Sequence, residues 1–183
     1  MQRIPTVNAS SASATTQGLL EAVTKQMGGV PNILATMAQS GAALGGYLGF
    51  AGALAKGSLA PAVREQIALA VAGANTCDYC ASVHTVLGQG AGLSAEETRR
   101  NIAGESSDPK VASLLSFARQ IVKGRGHVSD AQIAAFRAAG YGDEELVEVV
   151  AQVALNIFTN YFNHIAGTEI DFPHVSTDLA LAV

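Results

Sequence analysis

Apolar positions recur three and four residues apart along most of this chain, the periodicity of helices that bury one face. Together with glycine, proline and serine breakers, the pattern predicts helices over 17–27, 32–39, 42–56, 61–74, 78–89, 94–102, 109–123, 129–139 and 143–165. No strand-like alternation competes, so the predicted fold class is all-α. Pro61 suits a first helical turn, where its missing N–H is not needed. Ser94 with Glu97, and Ser129 with Gln132, match the capping box. Gly57, Gly124 and Gly140 suit helix ends that require a left-handed residue. Residues 1–16, rich in serine, threonine and alanine, read as a flexible N-terminal arm, and 17–183 as a single helical domain.

Thirty residues from Gln26 to Ala55 carry no charge, long enough by count to span a bilayer. Pro31, Asn32, Gln39 and Ser40 interrupt the run, and breaks near Gly28–Pro31 and Ser40–Gly41 divide it into shorter helices. Gly41, Gly45 and Gly49 then mark one helix face where backbones can approach closely, inside the subunit or between copies.

Composition narrows the function. Hydrophobic residues make up 49% of the chain and charged residues 14%. The net charge of -4 gives no basic footprint for nucleic acid. No charged n-region with an apolar stretch and cleavage site opens the chain, so the expected setting is cytoplasmic, with no membrane partner. In that compartment a C-x-x-C pair is catalytic or metal-binding more often than a permanent staple.

The only two cysteines lie in Cys77–His84, "CDYCASVH". Placed at a helix start, with Asn75 or Thr76 as N-cap, Cys77 and Cys80 are an i,i+3 pair and Cys80 and His84 an i,i+4 pair on one face. This spacing lets a disulfide open and close within one turn, and sets an imidazole beside a thiol whose thiolate is the nucleophile. Asp78 opposes that anion. Glu65, twelve residues before Cys77, reads equally as a carboxylate carried inward or as an acidic residue near a helix N-terminus. On the last helix Gln152, Asn156, Asn160 and His164 recur every four residues. They read first as the polar face of an amphipathic helix continuing Glu145 and Glu148, and second as a polar strip facing a pocket. His127 and His174 lie by loops and read as solvent-exposed.

"REQIALAVAGANTCDYCASVHTVLG" resembles the core motif of the alkylhydroperoxidase AhpD-like, or carboxymuconolactone decarboxylase, superfamily: a glutamate, C-x-x-C twelve residues on, and a histidine four after the second cysteine. "GGVPNILATMAQS" and "FTNYFNHIAGTEIDFP" extend the resemblance to its peroxidase-related branch. It implies an AhpD-like helical bundle with thiol peroxidase or disulfide reductase activity and no cofactor. By position, Cys80 attacks the peroxide, Cys77 resolves, His84 deprotonates Cys80, and Glu65 completes the relay. Tyr79 stands where the best-studied members have a histidine, which puts a relay through that position in doubt. The implied partners are a hydroperoxide, a thiol reductant of lipoyl, thioredoxin-like or small-thiol type, and further copies of the chain in a trimer or hexamer. The competing readings are a lactone decarboxylase, a redox-switched oligomer without catalysis, an inert disulfide, and a zinc site on Cys77, Cys80, His84 and Glu65.

Overall fold

The computed structural model describes residues 2–180 and is all-helical, with nine α-helices and no strand among them. They are α1 (Ala14–Met27), α2 (Asn32–Met37), α3 (Gly41–Leu54), α4 (Pro61–Ala74), α5 (Asp78–Gly90), α6 (Ala95–Ala103), α7 (Pro109–Gly124), α8 (Asp130–Ala138) and α9 (Asp143–Ala166). The expected breaks in the uncharged interval fall where α1 ends and α3 begins, and no helix among the described residues is long and apolar enough to cross a membrane.

Helix α4 organises the rest. Its residues Gln66–Gly73 are all buried, and it packs on α5, α6, α7 and α9. A helix apolar on every side belongs in the middle of a domain, and the "IALAVAG" run supplies one. Around it lie two cores. One joins Leu20, Leu34, Met37, Leu44 and Leu69 with both cysteines; the other joins Ile67, Val71, Leu114, Phe117, Phe136 and Val149. Close approach is made at Gly73, where a Cβ would run into the Ile102 carbonyl of α6. Of the glycines expected to do this, Gly41 meets Thr16, Gly45 has ordinary contact with Leu19, and Gly49 faces open space. The stripe is therefore only partly used within the subunit.

The segment before α1 is tied to the body. Arg3 and Ile4 donate main-chain N–H groups to the Ala166 carbonyl, and Val7 donates to Ala35. Helix α1 starts three residues earlier than expected because Ser13 caps it, accepting from Thr16 N. Met1 of the expected arm and 181–183 of the expected domain lie outside the described residues.

The turn signals divide. Gly140 is left-handed as expected (φ 87°), whereas Gly124 lies inside α7 and the left-handed residue after it is Arg125. Gly57 is not left-handed; a side chain there would collide with the Glu148 carboxylate, which accepts from Ser58 N and Leu59 N. Ser129 and Gln132 form the full capping box. Ser94 accepts from Glu97 N, but the Glu97 carboxylate turns away to take Ser106, Ser107, Asn101 and Gln66 as donors. It thereby ties the loop after α6 to α4.

Burial opposes ionisation of Glu97, but hydrogen bonds from Ser106, Ser107 and Asn101 outweigh it and hold the carboxyl down at about 2. A group depressed on folding contributes stability that is complete above its unfolded value and is lost as pH falls through its folded one. Glu97→Gln should therefore lower the denaturation midpoint at neutral pH, with the gap to the parent closing between pH 4.5 and about 2. A gap that stays constant over that interval, read by chemical denaturation, would rule out the ionised carboxylate as the loop's anchor.

Candidate active site

The α4–α5 junction sets the site. Thr76 N donates to Gly73 O, and Cys77 N to Ala72 O, the bond pair of a Schellman ending. The left-handed residue this motif needs is Thr76, at φ 54°. Threonine is unusual there, and its hydroxyl donates to the Asn75 carbonyl. Cys77 itself is the N-cap of α5; the expected caps Asn75 and Thr76 belong instead to the end of α4 and the turn. Because Cys77 directly follows this turn, both sulfurs sit at the buried first turn of α5, each 1% exposed and unbridged.

Asp78 is not left facing the sulfurs alone. Its Oδ1 accepts from Thr177 N at 2.8 Å and Thr177 Oγ1 at 2.7 Å, and His174 lies 3.6 Å from Oδ2. Ser82 Oγ accepts from Val175 N. The segment after α9 is thus strapped along the first two turns of α5. Tyr79 belongs to the same strap. Its hydroxyl accepts from Ile33 N at 3.1 Å and donates to Asp171 Oδ1 at 2.8 Å, while Asp171 Oδ2 takes Asn32 N. Burial pushes the Tyr79 phenol up, with Asp171 adding to the effect. Its one proton is held by Asp171, so this hydroxyl joins α2, α5 and the C-terminal strap.

Glu65 and His84 meet. Near the start of α4 the carboxylate Oε2 lies 2.7 Å from His84 Nδ1, both side chains about one-fifth exposed. A carboxylate on Nδ1–H leaves Nε2 with the lone pair, the arrangement that orients a general base. His84 and Cys80 line one cavity of about 70 Å³, walled by Met27, Ile33, Leu34, Tyr47, Tyr79, Val83 and Leu87. Tyr47 is a residue the sequence reading missed. Burial pushes its phenol up to about 12, with negative charge on Cys80 and Glu65 contributing, so it stays a neutral donor at the cavity wall.

The two sulfurs are unequal. Hydrogen bonding from Cys77 lowers the pKa of Cys80 against the cost of burial, and Asn163 and Asn160 lower it further. Cys77 moves the opposite way, because it gives its proton to that bond and is buried. The helix N-terminus favours an anion at this turn as well. Among the described residues no three His, Cys, Asp or Glu side chains are grouped to hold a metal ion.

The reading of Gln152, Asn156, Asn160 and His164 as a solvated polar face is overturned for its first three members, all buried. A helix advances about 100° per residue, so steps of four drift about 40° each time. The series that starts inward at Gln152 leaves the core by His164, which is exposed, its Nε2 3.3 Å from the Thr76 carbonyl. The inward face instead runs Gln152, Asn156, Thr159, Asn160, Asn163. Thr159 lines the cavity and Asn163 Nδ2 donates to Cys80 Sγ at 3.3 Å. Neither was anticipated, although alternating steps of four and three along "QVALNIFTNYFN" would have found both. His127 is exposed, and Glu145, nineteen residues before His164 as Glu65 is before His84, accepts from Gly142 N at the start of α9.

Comparison with known proteins bears on the fold. The fold is that of AhpD-like helical proteins. A peroxidase-related protein from Ralstonia eutropha JMP134, described as an alkylhydroperoxidase AhpD core, superposes with a TM-score of 0.85 at 22% identity, covering 93% of this chain and 92% of that one. A peroxidase-related protein from Silicibacter sp. TM1040 gives 0.81 at 19%, covering 92% and 93%. A debrominase crystallised with 2,3,4-tribromopyrrole gives 0.79 at 16%, covering 99% and 96%. No curated protein sequence matches the chain significantly. Residues 41–108, which include Glu65, both cysteines and His84, match the carboxymuconolactone decarboxylase family. The family match is confined to that central segment, and the fold over the whole described chain is the one these solved structures share.

Proposed function

We propose that the protein is a thiol peroxidase and disulfide oxidoreductase acting through Cys80 and Cys77. The observation that carries this reading is the shared cavity. An acidified thiol and a histidine already oriented by a carboxylate open onto one small apolar space.

In this reading His84 takes the Cys80 proton and the thiolate attacks one peroxide oxygen. An S–O bond forms, the O–O bond breaks, and the departing alkoxide leaves as alcohol with the proton from His84. Cys77, no longer bonded to a thiolate, then attacks the Cys80 sulfenic acid. The S–S bond forms and water departs with the Cys77 proton. A dithiol reductant of lipoyl or thioredoxin-like type, or two small thiols, restores the pair by exchange and is itself oxidised to a disulfide. Glu65 acts as a positioning residue for His84. The redox pair separates this reading from lactone decarboxylation, for which two thiols have no use.

A second reading has its own observation. The cavity walls are apolar and aromatic, and a fold neighbour is a debrominase. A small halogenated ring is the competing substrate class, at the cost of widening the cavity.

We also take the chain to be a homo-oligomer, trimer or hexamer. Helix α3 is uncharged and apolar throughout, yet only Leu44 on it is buried, and Phe50 and Phe158 are both more than two-fifths exposed. Large exposed apolar surface is uncommon on monomers.

Reduced protein mixed with a limiting peroxide should consume one equivalent and form one internal Cys77–Cys80 disulfide, a loss of two hydrogens by mass. Cys80→Ser should abolish consumption. Stoichiometric zinc on freshly purified protein with thiols inert to peroxide, or consumption undiminished in Cys80→Ser, would refute the assignment. Light scattering should return a multiple of 18.7 kDa; a mass of one subunit at micromolar concentration would refute the oligomer.

A further inference from the structure

Two buried amides on α9 beside Cys80 use only half of their hydrogen-bonding capacity. Asn163, 5% exposed, donates from Nδ2 to Cys80 Sγ at 3.3 Å, and its Oδ1 has no partner. Asn160, 0% exposed, accepts at Oδ1 from Asn75 Nδ2 at 3.0 Å, and its own Nδ2 has no partner of normal geometry. A buried N–H without an acceptor is costly, so this placement is unfavourable while the neighbouring sulfur is a neutral thiol and a weak acceptor. A thiolate at the same position is a strong acceptor for both amides.

We propose that Asn163 and Asn160, the latter oriented by Asn75, form a donor cradle that stabilises Cys80 as a thiolate and holds the sulfenate formed on it. The inference rests on Cys80 being the attacking sulfur and deepens that assignment. Thr159 also lowers the pKa of Cys80 through its hydroxyl, but that single proton is donated to the Asn156 carbonyl at 3.0 Å, so the cradle is built on the two amides. The titratable groups around Cys80 are Cys77 and His84 on α5, Glu65 on α4, Tyr47 on α3, and Tyr79 with its partner Asp171. None carries a permanent positive charge, so neutral N–H donors complement the proton held on His84 in stabilising the anion, as donors do in an oxyanion hole. The two amides come from α9 and the sulfur from α5, and Asn75 on the α4–α5 turn locks one amide to the same junction that positions Cys77. Asn163 and Asn160 are positioning residues for the sulfur, distinct from the proton-accepting pair across the cavity.

The test needs no peroxide. Ultraviolet absorbance of the reduced protein, with the Cys80→Ser trace subtracted, gives the midpoint of Cys80 ionisation. Asn163→Leu and Asn160→Leu keep the volume and remove the donor. Each should raise the midpoint by about one pH unit, about tenfold less thiolate at fixed pH. Asn75→Ala, at a half-buried position, should raise it by less, through loss of Asn160's orientation. If the leucine variants do not fold, Asn75→Ala decides alone. A midpoint that stays put in folded Asn163→Leu and Asn75→Ala overturns the cradle. So does a fall in Asn160→Leu, which would mean that this amide presents its oxygen to the thiol. Raised midpoints in a protein that proves inert to peroxide would uphold the cradle and reject the peroxidase reading, while unmoved midpoints in an active peroxidase would do the reverse.

Discussion

The hydrogen bond from Cys77 N to the Ala72 carbonyl closes the turn between a central helix and the helix that carries the thiols. Everything in the site depends on this reversal. From Glu65 to Ala74 α4 rises about 14 Å, and from Asp78 to Gly88 α5 returns about 15 Å. The two helices therefore lie side by side with their far ends level, and glycine at position 88 leaves contact distance to the Glu65 Cβ. Glu65 and His84, nineteen residues apart in sequence, are brought to 2.7 Å by that equality of length. A helix buried on all sides cannot move along its axis without breaking two cores, so the carboxylate's position is fixed by the apolar residues that follow it. The left-handed Thr76 is the point where the chain gives up local comfort for this geometry.

Around the junction the polar groups separate by role. Asp78, Ser82 and Tyr79, on the side of α5 facing the C-terminal segment, spend their hydrogen bonds on main-chain groups and on Asp171. His84 lines the cavity with the Glu65 carboxylate on its Nδ1, both about one-fifth exposed, and Asn163 of α9 donates to the Cys80 sulfur. Cys80 thus shares its cavity with His84 and receives an amide donor from Asn163. Hydrogen bonding between the sulfurs lowers the pKa of Cys80 and raises that of Cys77, and the proposed division into attacking and resolving roles rests on this inequality.

Much of this was legible in the residues. The span of α4 was readable because proline, an unbroken apolar run and the turn after it leave no other choice; all nine helices were found for similar reasons. Spacing alone left Glu65 open between an inward carboxylate and a helix-start acid, and only the family resemblance linked it to His84. What was not legible depends on contacts across distant helices. Glu97 satisfies the local rule for a capping box, but serines nine and ten residues away compete for its carboxylate and win. The α9 stripe was read with a period of four, which carried it onto exposed His164 and past Asn163, because small errors of period accumulate over about three turns. Gly73 looked like any small residue in an apolar helix until the α6 carbonyl was seen against it, and Tyr47 lies thirty residues from the motif it faces.

Chemical trapping of the sulfur that reacts first tests the central claim most directly. Cys77→Ser protein, treated with peroxide in the presence of a sulfenic-acid-trapping dione and mapped by peptide mass spectrometry, should carry the label on Cys80. Absence of label there, together with a trapped sulfenic acid on Cys77 in Cys80→Ser protein, would contradict the account and reverse the roles of the two sulfurs.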